Sequence, residues 1–104
     1  MKMKTLTRIS KETYEEVYER DGGKCIICGE RDVQCAHYIG RAQGGYGVPQ
    51  NLVMLCVKHH QAVDNGNNPE ETKVYKDMMK LYLETRYKGW NEEDIKWKGK
   101  VYES

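Results

Sequence analysis

Asn51-Leu52-Val53-Met54-Leu55-Cys56-Val57-Lys58-His59-His60 packs an apolar run, a cysteine and two adjacent histidines into ten residues. The run has the length and composition of a buried strand, and it ends in half of a metal clamp. Upstream, Ala36-His37-Tyr38-Ile39-Gly40-Arg41-Ala42-Gln43-Gly44-Gly45 carries the remaining histidine. Val33 to Ile39 reads as the partner strand. Gly40 to Pro49 reads as a glycine-rich loop without regular structure, so the two strands make an antiparallel hairpin.

Cys25-x-x-Cys28 lies before the hairpin and Cys56-x-x-His59 after it. Thiolates and imidazole suit a tetrahedral Zn²⁺, and each pair can come from one tight turn. Four protein ligands leave no open position, so the site reads as structural. The competing reading is four buried, unliganded side chains. Disulfides would suit a small secreted protein, but no apolar secretory segment opens the chain, and in a reducing cytosol Cys-x-x-Cys favours metal. Cys35, the fourth cysteine, stands two residues before His37 on the same side of the strand. It reads as a small buried side chain, with replacement zinc ligand as the alternative.

The chain has 104 residues and a formal charge of +1, with Phe absent and eight Tyr. That length fits one domain over residues 1–104, whose core alone is marginal, so a metal staple is expected. The charge balance excludes a global electrostatic pull on nucleic acid and leaves only local basic groups or a bound metal. No run has the length of a membrane span, and a cytoplasmic location is expected.

Around the core at about 24–66, two further helices are expected. The first covers about 10–21, with Ser10 as N-cap, a staple of Ile9 on Tyr14, a face of Tyr14, Val17 and Tyr18, and Asp21-Gly22-Gly23 as its end. Lys58 to Asp64 forms a short helix, stopped by Asn65-Gly66-Asn67. Asn68 then caps the second flanking helix, with Pro69 at its first position, over about 69–88. Asn91-Glu92-Glu93-Asp94 suggests a capped turn. Residues 1–9, with basic Met1-Lys2-Met3-Lys4, read as a disordered tail able to touch a phosphate backbone. Lys96, Trp97, Lys98 and Lys100 read as solvated surface rather than a DNA contact.

His37 ends a strand before the glycine loop, and His60 and Asp64 share one helical face at i and i+4. Imidazole plus carboxylate, with positions left open, suits Mg²⁺, Mn²⁺ or another divalent ion that must also grip phosphate. A neutral histidine can take a proton from water near pH 7, and a metal can polarise a phosphodiester. Arg41 could clamp a phosphate through two hydrogen bonds, and Lys58 is a weaker candidate. Each of these residues has a plain structural or solvated reading; only their conjunction points to catalysis.

Cys25-x-x-Cys28, Ala36-His37-Tyr38-Ile39, Gly44-Gly45, Asn51-Leu52-Val53 and Leu55-Cys56-x-x-His59-His60 together resemble the HNH endonuclease family over about residues 24–66. The flanking helix and the Trp90-Asn91-Glu92-Glu93-Asp94 tail resemble, more loosely, small HNH proteins of phages and prophages. The resemblance implies an α+β, treble-clef-like ββα-metal module with flanking N- and C-terminal helices. It implies His37 as general base, Asn51 as a brace across the loop, and His60 as ligand of a catalytic divalent metal, with Asp64 matching a second ligand. It implies DNA cleavage, by nicking or double-strand cutting. By family analogy alone it also implies a phage packaging (terminase) partner and a bacterial host cytosol. Many members carry a metal ligand directly before the catalytic histidine; this chain has Ala36, so the ion would rest on His60, Asp64, water and substrate. A zinc-stapled nucleic-acid-binding module without catalysis is the second reading, and a purely structural zinc protein the third.

Overall fold

The apolar run that follows Asn51 becomes a strand buried at every position. The computed structural model describes residues 6–97. Strand β1 (Val33–His37) pairs antiparallel with β2 (Leu52–Cys56), in a register that sets Val33 against Cys56 and His37 against Leu52. Side chains alternate across a strand, and both faces of β2 are covered. Val53 and Leu55 pack with Ala36, Val63, Met79 and Leu83. Leu52 and Met54 pack with Val17 on the other side.

Three helices supply those covers: α1 (Lys11–Arg20), α2 (Val57–Asn65) and α3 (Pro69–Arg86). Ser10 accepts from the Thr13 N–H, and Asn68 accepts from the N–H groups of Glu70 and Glu71, so both expected caps form. Of the expected α1 face, only Val17 is buried. Tyr14 and Tyr18 stack on each other at the surface, with ring centroids 6.2 Å apart. Asn91 caps a short 3-10 turn at Glu92–Ile95.

The outer edge of β2 is closed by a buried ion pair. Arg20 pairs with Asp21 and donates to the carbonyls of Pro49 and Leu52. Asp21 accepts from the Met54 N–H and from the Tyr82 hydroxyl on α3. Main-chain groups that an edge strand would leave open are thereby satisfied.

β1 stops at His37 rather than continuing to Ile39, because the Asn51 side chain takes over the pairing there. Its Oδ1 accepts from the Ile39 N–H at 2.8 Å, and its Nδ2 donates to the carbonyls of Ile39 and Tyr46. The loop is also more regular than its composition suggests, with 3-10 turns at Arg41–Gln43 and Pro49–Asn51. A Cβ on Gly45 would stand 1.7 Å from the Ile39 carbonyl oxygen, so only glycine fits.

Both ends of the described chain close on this loop. Gly47 N–H donates to the Leu6 carbonyl, Tyr46 N–H to Ile95 and Trp97 N–H to Gly44. Residues 6–9 are therefore built into the fold, and Thr7 is buried, against the expectation of a loose tail. Trp97, read as solvated surface, is a half-buried part of this closure. Met1-Lys2-Met3-Lys4, Lys98 and Lys100 lie outside the described residues. No helix among the described residues is long and apolar enough to cross a membrane.

Candidate functional site

The Cys25-x-x-Cys28 turn folds back on itself. Gly29 N–H donates to the Cys25 carbonyl, and Gly29 sits at a φ of 81°, which glycine adopts without strain. Ile26 N–H donates to the Met54 carbonyl and ties the turn to β2. Cys56 ends β2 and caps α2, which brings His59 round on the first helical turn.

The ligand atoms of Cys25, Cys28, Cys56 and His59 all lie within 4.8 Å of one another. Cys28 Sγ is 3.7 Å from Cys56 Sγ, and His59 Nδ1 is 3.7 Å from Cys25 Sγ and 3.2 Å from Cys56 Sγ. Tetrahedral ligands at about 2.3 Å from Zn²⁺ stand about 3.8 Å apart, so the donor set fits that ion. Burial opposes the Cys25 thiolate, but the backbone N–H groups of Cys56, Cys28 and Ile27 outweigh it and hold the pKa below the usual thiol value. The Tyr75 ring meets His59 edge-on at 4.8 Å. Cys35 is not one of the four.

A second site opens on the other side of α2. A cleft of about 570 Å³ is lined by Ile9, Cys35, His37, Gly40, Arg41, Ala42, Gln43, His60 and Asp64. It gathers His37, Arg41, His60 and Asp64 from three separate segments. Asn51 does not line it, and holds Ile39 and Tyr46, just before and within the loop that begins at Gly40. Lys58 does not line this cleft. It borders a hollow with Cys28, Cys56 and His59.

His37 Nε2 lies 2.9 Å from the Thr7 carbonyl oxygen. A carbonyl only accepts, so Nε2 carries a proton, and in the neutral ring Nδ1 is then the nitrogen with the lone pair. Burial lowers the His37 pKa below 6.5. The Thr7 bond and Asp64 oppose this, while Arg41 and His60 add to it. Burial thus favours the uncharged ring.

His60 and Asp64 do share a helical face, with Nε2 and Oδ2 3.0 Å apart. His60 Nδ1 faces Gln34 Oε1 at 2.7 Å. With Nδ1–H donating to Gln34, Nε2 presents a lone pair to the carboxylate unless a proton or cation stands between. Two adjacent ligands about 2.1 Å from an octahedral ion lie about 3 Å apart, and so do the partners of an ordinary His–Asp hydrogen bond. Ala36 is fully buried in the core and offers no ligand.

Sequence reasoning missed three contributors. Gln34 gave no motif signal. Thr7 acts through its carbonyl, which any residue carries. Lys76, half-buried on α3, donates to the Tyr38 carbonyl and lies over the Tyr38 ring at 4.8 Å, fixing the backbone next to His37. Cys35, expected to be a small buried side chain, is instead half-buried and lines the cleft with His37, and burial pushes its thiol up to about 12.

No family model matches the chain, and no solved structure matches it. The chain is 38% identical over 42 residues to the high affinity transport system protein p37 of Mesomycoplasma hyorhinis. That alignment covers 40% of this chain and 10% of the transport-system protein, so the chain spans about a tenth of that relative.

Proposed function

We propose that this chain is a metal-dependent endonuclease of the HNH type, with a ββα-metal core made of β1, β2 and α2. The observation that carries the reading is one cleft lined both by His37, whose Nε2 is engaged by the Thr7 carbonyl, and by the His60–Asp64 pair. His37 Nδ1 takes a proton from water as the water oxygen attacks phosphorus. The bond from phosphorus to the leaving oxygen breaks, and that oxygen is protonated from solvent. Arg41 at the cleft wall holds a phosphate oxygen through its planar fork. His60 and Asp64 would hold a divalent ion such as Mg²⁺ or Mn²⁺, supplying positive charge beside the phosphate. Zinc on Cys25, Cys28, Cys56 and His59 would fix the start of α2, and with it His60.

Nicking of supercoiled plasmid tests this. Zinc-loaded protein with Mg²⁺ or Mn²⁺ is expected to break strands. His37→Ala is expected to retain zinc and fold while losing about 10² to 10⁴ in rate. Cleavage undiminished in a purified His37→Ala protein would sink the assignment. A zinc-stapled nucleic-acid-binding module without catalysis is the second reading, favoured by the burial of Ala36. It predicts DNA binding without strand breaks under any divalent metal.

A further inference from the structure

We infer that the N-terminal segment Leu6–Arg8, seated by Gly47, is the positioning strap that sets the tautomer of His37. This rests on His37 being the base of the proposed reaction, but its structural core does not need that reaction to occur. The segment is 30 residues from His37 in sequence and outside the metal-bearing core, yet the Thr7 carbonyl accepts the Nε2–H of His37 at 2.9 Å. Neutral imidazole divides its proton between two nitrogens, and the nitrogen that donates decides which one is left basic. Held by Thr7, the ring leaves Nδ1 as the basic atom. Without the carbonyl, both tautomers become populated and the ring is free to turn.

The seat for the strap is made by a glycine. Gly47 N–H donates to the Leu6 carbonyl at 3.0 Å. A Cβ on Gly47 would lie 2.2 Å from the Arg8 carbonyl oxygen, 2.6 Å from the Arg8 carbonyl carbon and 3.0 Å from the Thr7 carbonyl oxygen. All three are backbone atoms, so no side chain can swing aside to make room. Thr7 itself is 3% exposed, which holds the carbonyl in place. The glycine loop, the strap and the base therefore form one closed arrangement.

Two variants of the zinc-loaded full chain test this: Gly47→Ala, which lifts the strap, and removal of residues 1–8, which deletes it. The first measurement is the ¹⁵N spectrum of the His37 ring at neutral pH. Wild type is expected to show protonated Nε2 and bare Nδ1; both variants are expected to show mixed tautomers, with zinc content and amide spectra otherwise retained. The second is plasmid nicking, where kcat is expected to fall about 10²-fold, the penalty typical of a misplaced catalytic group, while KM stays within about twofold. A pure Nε2–H tautomer in a folded, truncated chain overturns the proposal. Loss of fold in both variants overturns it too, since the segment would then be a fold element and not a positioning one. If wild type cuts no DNA but the tautomers shift as expected, the nuclease reading fails and the strap stands.

Discussion

Asn51 and Ile39 are locked in a reciprocal pair: the Asn51 carboxamide accepts the Ile39 N–H and donates to the Ile39 carbonyl. One fully buried side chain thus imitates a missing strand residue and ends the hairpin just after His37. Asn51→Ala leaves three backbone groups of Ile39 and Tyr46 without partners. The expected loss is about 3 kcal/mol, read as a lower urea midpoint. Asn51→Asp keeps the acceptor but turns its second oxygen on two carbonyls, and is expected to be no better than alanine.

The zinc site is expected to hold one ion per chain on Cys25, Cys28, Cys56 and His59. Structural zinc sites carry on the order of 10 kcal/mol of apparent binding free energy, as much as the whole stability of a small domain. Chelation, or Cys25→Ser, is therefore expected to unfold the protein, with circular dichroism following metal release. A protein that keeps its cooperative melt after complete zinc removal would contradict this.

His37 gives the pH dependence a definite sign. Its folded pKa lies below 6.5 because it is buried. Between that folded value and 6.5 the unfolded chain binds more protons, so stability rises with pH. The His37 contribution is complete above 6.5 and is lost as pH falls through the folded value. Urea midpoints of wild type and His37→Gln, measured between about pH 8 and pH 5, are expected to converge at the acid end. The acid limb of kcat/KM is expected below 6.5 for the same reason.

Arg20 and Asp21 bind β2 to both outer helices, and the Asp21 side chain is fully buried. Asp21→Ala strands the Arg20 charge and leaves the Met54 N–H unpaired. Breaking a buried pair in this way costs about 3–5 kcal/mol. Removing both partners, in Arg20→Met with Asp21→Ala, is expected to cost less than the two single changes added together. Thermal melts of the three variants check this.

What the sequence disclosed follows from the range of each interaction. Ser10, Asn68 and Asn91 act within three residues, and their caps were legible. The Cys-x-x-Cys and Cys-x-x-His pairs are local turns whose meeting needs only a hairpin, so the Cys/His cluster was legible as well. The i,i+4 spacing placed His60 against Asp64. Arg20 with Leu52, Thr7 with His37 and Lys76 with Tyr38 lie about thirty or more residues apart, and in each case one partner is a backbone carbonyl. A carbonyl leaves no mark on residue type, so no spacing rule could find them. The regular turns inside the glycine loop were hidden for a related reason: the loop is held by Asn51 and by backbone bonds to Leu6, Ile95 and Trp97, far away in sequence.

Leu6 and Trp97 hang from glycines only three positions apart, Gly47 and Gly44. The described chain is thus nearly a ring, fastened at one clasp. A short polar linker between the two ends, with new ends opened at Gly66-Asn67 between α2 and α3, would preserve every strand pairing and both candidate metal sites. In such a permuted protein the clasp would become an ordinary covalent loop, and the new ends would lie between α2 and α3.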